Sequence, residues 1–105
     1  MLLAIDIGNS HSVVGVFMDS KLQHRWRVST DTRRSVDETF LLLEGLLRIA
    51  SLTPGDIDGL ILSSVVPPVT PIFVDVGRRY LELEPMVVGT GLKTGMPIQK
   101  MLQER

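Results

Sequence analysis

The run Leu2-Leu3-Ala4-Ile5 is apolar at every position and is stopped at once by Asp6 and Gly8. A strand with one wet face alternates apolar and polar residues, so a short continuous run reads as a strand covered on both faces. The rest of the chain has to supply that cover. Ile7-Gly8-Asn9-Ser10-His11-Ser12 is rich in turn formers, and Val13 to Met18 then resumes with β-branched and aromatic residues, which predicts a second strand after a tight turn. Asp19-Ser20-Lys21 makes the next polar connection. Beyond it Leu22, His24, Trp26 and Val28 alternate with Gln23, Arg25 and Arg27, the two-residue period of a strand with one apolar and one polar face. Short connections join antiparallel neighbours, so residues 2 to 28 are expected to form a three-stranded meander.

The period then changes. Ser35 followed three residues later by Glu38 fits a capping box, in which the two side chains satisfy backbone N–H groups orphaned by the first helical turn. Val36, Phe40, Leu43, Leu47 and Ala50 follow at helical spacing, widened by Leu42, Leu46 and Ile49, and the helix should end near Leu52, before Thr53-Pro54-Gly55. Gly59 to Leu62 predicts another buried strand. Pro67-Pro68 suits the entrance of a second helix with apolar positions Val69, Ile72, Phe73, Val76 and Tyr80, and Met86-Val87-Val88 supplies a last short strand. A loop holding Gly89, Gly91 and Gly95 follows, and Gln99 to Arg105 is polar and weakly patterned. The order β-β-β-α-β-α-β predicts an α/β fold: a mixed five-stranded sheet with helices packed on it, in ribonuclease-H-like or actin-like topology. Residues 1–98 are expected to form this domain and residues 99–105 a divergent or truncated tail.

Composition narrows the function classes. At 105 residues the chain builds one core rather than two. Eleven Lys and Arg against twelve Asp and Glu leave a net charge of −1, so no basic field attracts nucleic acid. With no Cys, disulfides, thiolate metal sites and Cys nucleophiles are all excluded, and two His make a His-only metal site improbable. No signal peptide is read at the N-terminus, and no apolar run reaches the ~18–20 residues of a membrane span. The expected location is the cytoplasm, with no nucleic-acid or membrane partner.

The segment from Asp6 to Ser12 carries the chemistry. Gly8 and Asn9 in the first hairpin allow left-handed backbone angles, which turn successive N–H groups inward as an anion-binding nest suited to phosphate. Asp6, ending a buried strand, is placed to hold Mg²⁺ beside those phosphates, while Ser10 and Ser12 offer hydroxyl donors. An ordinary β-turn with Asp6 accepting turn amides competes with this reading, because a short Asp-x-Gly pattern has little specificity by itself. It is not the Gly-rich phosphate loop ending in Lys-Ser/Thr, since no Lys follows and a strand comes next. His11 could bond a phosphate or simply cap the turn. His24, Trp26 and Phe40 read as packing residues, and Arg25, Arg27, Arg33 and Arg34, with Asp31 among them, as a solvated or ion-paired surface. Lys93 reads as an exposed loop cation.

At Asp6-Ile7-Gly8-Asn9-Ser10 the chain resembles the first phosphate motif of type III pantothenate kinases, members of the acetate kinase, sugar kinase, Hsp70 and actin superfamily. Arg25-Trp26-Arg27-Val28-Ser29-Thr30-Asp31, Asp37-Glu38, Ile57-Asp58-Gly59, Ser63-Ser64-Val65-Val66-Pro67-Pro68 and Gly91-Leu92-Lys93-Thr94-Gly95 resemble further family segments in the family's order. The likeness covers roughly residues 1 to 98, and it favours the phosphate loop over the plain turn. It implies ATP-dependent phosphorylation of pantothenate, the first step toward coenzyme A, with Mg²⁺ and a monovalent cation (K⁺ or NH₄⁺), in a two-domain enzyme that forms a homodimer. Asp6, Ile7, Gly8, Asn9, Ser10, His11, Ser12 and Val13 would form the ATP phosphate loop, Asp6 nearest the metal. Ser10 replaces the more usual Thr and keeps the hydroxyl, and Ser63-Ser64 would line the cleft.

The family pattern continues into an Asn-Pro segment and then Gly-Ala-Asp-Arg, whose Asp is the expected general base. This sequence runs instead through Gln99-Lys100-Met101-Leu102-Gln103-Glu104-Arg105. No catalytic residue is therefore assigned, and the 105 residues alone are expected to be inactive, since phosphoryl transfer needs nucleotide, metal and acceptor held in line beside a base. Two other readings are a non-catalytic binding or regulatory module of the same fold and, more remotely, a ribonuclease-H-like nuclease. The latter needs carboxylates converging on Asp6, where this chain offers Ser63-Ser64.

Overall fold

The doubly buried run forms β1 (Leu2–Ile7) at the centre of the sheet. The computed structural model describes residues 1–89 and 101–102. β2 (His11–Met18) and β3 (Lys21–Ser29) complete an antiparallel meander, and β4 (Gly59–Ser64) and β5 (Met86–Val88) extend the sheet in parallel on the other side, in the order β3-β2-β1-β4-β5. Helices α1 (Val36–Ile49) and α2 (Thr70–Tyr80) supply the crossovers. The expected order of elements and the mixed five-stranded sheet are both present. The glycines Gly91 and Gly95, with Lys93, lie outside the described residues.

Both helices pack on one face of the sheet. Leu3, Ile5 and Ile7 of β1, Val14 and Val16 of β2, and Leu60 and Leu62 of β4 bury there against Leu43 and Leu47 of α1 and Phe73 and Val76 of α2. The two helices meet through stacked Phe40 and Tyr80 rings, centroids 4.1 Å apart, and the Tyr80 hydroxyl donates to Asp37. The opposite face holds Ala4, Phe17 and the fully buried Leu102, with Leu2, Val13, Leu22 and Ile61 around them. Leu102 belongs to a stretch whose sequence pattern is weak, yet it covers the second face of the central strands.

Local chemistry explains the element ends. The capping box forms as expected: Glu38 N–H donates to the Ser35 hydroxyl and Ser35 N–H to the Glu38 carboxylate. α1 ends three residues before Leu52. Leu52 N–H bonds the Leu47 carbonyl and Ser51 N–H the Arg48 carbonyl, a Schellman ending that holds Ser51 at φ 61°. Ile49, placed in the apolar stripe by its spacing, falls on the exposed side of this last turn. Pro54–Asp56, between α1 and β4, makes a short 3₁₀ turn. α2 begins just past Pro67-Pro68, with Pro71 in its first turn, where a missing N–H costs nothing.

One difference alters a face. A bulge opposite Val16 and Phe17 adds a residue to β3, so that Val16 pairs with His24 but Phe17 with Leu22. Leu22 therefore packs beside Phe17, on the opposite side of the sheet from Trp26, although the alternation aligned the two. His24 stacks on Trp26 with ring centroids 5.6 Å apart, which agrees with its reading as a packing residue.

Candidate functional site

The hairpin between β1 and β2 is a two-residue connection, Asn9-Ser10, closed by Gly8 N–H donating to the His11 carbonyl at 3.0 Å. A Cβ on Gly8 would stand 2.8 Å from that same oxygen, so this close approach needs glycine. The expected left-handed nest is not what forms. Neither Gly8, Asn9 nor Ser10 has a φ in the left-handed range, and the left-handed pair sits in the next hairpin, at Asp19 (φ 51°) and Ser20 (φ 68°), where a two-residue loop follows the twist of its strands. The Gly8 amide is thus spent inside the turn. Among the described residues the Asn9 and Ser10 amides make no hydrogen bond, and both residues are exposed at the tip.

β3 braces this hairpin. Thr30 N–H donates to the Ser10 carbonyl at 2.9 Å, and the Ser12 and Thr30 hydroxyls lie 2.7 Å apart. Arg27 Nη2 lies 3.2 Å from His11 Nδ1. A hairpin tied at three points keeps its tip amides in place without a ligand, the preorganisation that anion recognition requires.

Register sorts the side chains by face. Asp6 lies opposite Val13 of β2 and Ser63 of β4, and Val13 lies opposite Arg27 of β3, so these four residues share the face away from the helices, together with His11. Ile7 pairs with Ser12 and with Ser64 on the helix-covered face. The structure therefore brings Asp6, His11 and Val13 together with Gly8, Asn9 and Ser10, and it turns Ile7 and Ser12 the other way. Ser12 is buried with its hydroxyl engaged by Thr30. The serine pair divides likewise: Ser63 stands beside Asp6, while the Ser64 hydroxyl accepts from Val66 N–H at 3.0 Å and braces the turn into α2.

Asp6 is half-buried, and burial raises its carboxyl above the ordinary value of 3.8. No hydrogen bond to the carboxylate occurs among the described residues. A desolvated carboxylate of that kind gains from a cation, and oxygen donors suit a hard one. Among the described residues no three His, Asp or Glu side chains gather into a metal cluster. Asp37 and Glu38 stand at the start of α1, across the sheet from Asp6, so the carboxylate convergence of a two-metal nuclease does not occur there. A hollow of about 600 Å³ lies elsewhere, on the outer side of α2, lined by Val65, Pro67, Pro71, Val74 and Arg78. Ser64, Thr70 and Asp75 also line it, but Arg78 is paired with Glu84 and the Ser64 hydroxyl is engaged by Val66, so it offers phosphates few free donors and chemistry ranks the hairpin above it.

Of the arginines, Arg33 pairs with Asp31 at 3.2 Å and Arg34 donates to the Ser29 carbonyl, as a surface reading expects. Arg27 is exposed as well, and its guanidinium rests on His11. The signal that could have found it is its parity with Asp6, which needs the hairpin length to be known. No helix among the described residues is long and apolar enough to cross a membrane.

Comparison with known proteins follows the same lines. In solved structures the fold is similar to one assigned as an N-acetylglucosamine kinase from Porphyromonas gingivalis (TM-score 0.60, 16% identity, 85% of this chain and 34% of that one). It is also similar to T. thermophilus RuvC in complex with a Holliday junction substrate (TM-score 0.53, 15% identity, 95% and 74%). At such identities these likenesses concern the fold alone. Closer in sequence are the type III pantothenate kinases of Citrifermentans bemidjiense (45% identical over 98 residues), Geobacter sulfurreducens (46% over 99) and Listeria innocua (41% over 99). The matches take in 93–94% of this chain but only 38–39% of each relative, so the chain spans about two fifths of their length. The family model described as type III pantothenate kinase matches residues 2–104, and the chain belongs to that family.

Proposed function

We propose that this chain forms the nucleotide-phosphate-binding lobe of a kinase that transfers the γ-phosphoryl group of ATP to pantothenate. Family membership supplies the reaction. The observation that carries the placement is the pairing of a half-buried Asp6 with a braced hairpin whose Asn9 and Ser10 amides are unspent. In this reading the Asn9 and Ser10 amides and the Ser10 hydroxyl donate to phosphate oxygens, and Gly8 lets the backbone pass close beneath them. Val13 and Ser63 flank the carboxylate, whereas Ile7 and Ser12 support the hairpin from its covered side. Asp6 is the residue that would hold Mg²⁺, which when bound neutralises charge on the transferring phosphate. A monovalent cation (K⁺ or NH₄⁺), a homodimer and a cytoplasmic location, all implied by the resemblance, belong to the same proposal. The 105 residues contain no Gly-Ala-Asp-Arg segment, so the property assigned to them is phosphate binding rather than turnover.

Calorimetric titration of the chain with ATP in the presence and absence of Mg²⁺ tests this. Mg²⁺-dependent binding is expected, weakened at least tenfold in Asp6→Asn while the circular dichroism spectrum is unchanged. Equal affinity in the two proteins, or no binding to either, would overturn the placement.

A further inference from the structure

We infer that Arg27 is a positioning residue of the phosphate site: it fixes the tautomer of His11 so that the imidazole presents an N–H to an anionic oxygen of the bound nucleotide. This rests on the function proposed above. A guanidinium has donors and no acceptor, so across the 3.2 Å contact Arg27 Nη2 donates and His11 Nδ1 accepts. A neutral imidazole that accepts at Nδ1 carries its proton at Nε2. The contact therefore leaves an Nε2–H donor on the far side of an exposed ring, in the residue that directly follows the Asn9-Ser10 tip. The ring's base is fixed as well, because the His11 carbonyl closes the hairpin and His11 pairs with Ser29 across β3.

Register places both residues on the face that bears Asp6. Arg27 is separated from Asp6 only by Val13, so a cationic and an anionic group flank the strand that His11 begins. An anion lying over the tip meets two amides, one hydroxyl and one oriented imidazole N–H. Read from sequence alone, Arg27 is one surface cation among several. The other cations nearby lack this contact: Arg33 is engaged by Asp31, and Arg34 by the Ser29 carbonyl.

The test uses two readouts. Long-range ¹⁵N–¹H spectra of the His11 ring are recorded at about pH 8.5, above the ordinary imidazole range, for the wild type, Arg27→Met and Arg27→Lys, without nucleotide. The wild type is expected in the Nε2–H form, Arg27→Met as a mixture of tautomers, and Arg27→Lys, which keeps a donor, largely restored. Affinity for Mg²⁺-ATP should then fall in Arg27→Met only by the fraction of the Nε2–H form that is lost, about twofold for an even mixture. His11→Ala, which removes the hydrogen bond to a charged group outright, should lose at least about tenfold, and the double variant no more than His11→Ala, since Arg27 acts through that one bond. An Nδ1–H tautomer in the wild type, a tautomer indifferent to Arg27, or strictly additive losses would overturn the inference. Asp6-dependent binding that ignores Arg27 and His11 overturns it alone, whereas absence of any nucleotide binding overturns the site with it.

Discussion

Burial lifts the Asp6 carboxyl above 3.8 because its charged form loses hydration without gaining a donor among the described residues. A folded-state value above the unfolded one means that the native state holds its proton more tightly. The stability cost is then absent below about pH 3.8, grows as pH rises through the folded-state value, and is complete above it. Asp6→Asn should accordingly raise the melting temperature of the ligand-free protein near neutral pH and leave it unchanged near pH 3, the opposite of its effect on binding. Melts across that range check the sign. Gly8 is constrained by geometry instead. Gly8→Ala forces a Cβ against the His11 carbonyl, and urea unfolding should show a loss of roughly 1–3 kcal/mol. Asp6 and Gly8 stand out in the sequence as a carboxylate and a glycine ending a doubly buried strand, and the placement of both at the first hairpin was legible there. The facing of Ser12 was not: it follows from the two-residue hairpin, and a loop one residue longer would turn Ser12 toward Asp6.

Elements with strong local signals form where the residues place them. The capping box starts α1 at Val36, and β5 occupies Met86–Val88 as read. The misreadings occur where spacing along one element does not settle the facing. The bulge in β3 is set by its pairing with β2, so alternation along β3 alone misassigns Leu22. Ile49 keeps the spacing of Leu42 and Leu46 but lies about 200° around the helix from buried Leu47, so it faces outward in the turn closed by the Schellman ending. That ending holds a non-glycine residue in the left-handed region, at a cost of roughly 1–2 kcal/mol. Ser51→Gly should recover about 1 kcal/mol of it, seen as a higher urea midpoint with an unchanged slope.

Across the whole molecule, β1 is buried from both sides, as its composition demands, but by unlike covers. Two amphipathic helices close one face, and Leu102 reaches across the other to lie against Ala4 and Phe17, near Gly15, which has no side chain to obstruct it. The helix cover was legible from periodicity. Leu102 was not, because one apolar residue in a polar stretch carries no period. This arrangement leaves the Asp6 end of the uncovered face, with the first hairpin, as the place where phosphate chemistry can be held. The most direct measurement is a backbone amide NMR titration of the chain with Mg²⁺-ATP. The account predicts that the largest shifts fall on Asp6, Gly8 to His11 and Arg27 and are lost in Asp6→Asn. Shifts centred instead on Val65, Thr70, Val74 and Arg78, with a silent hairpin, would contradict it.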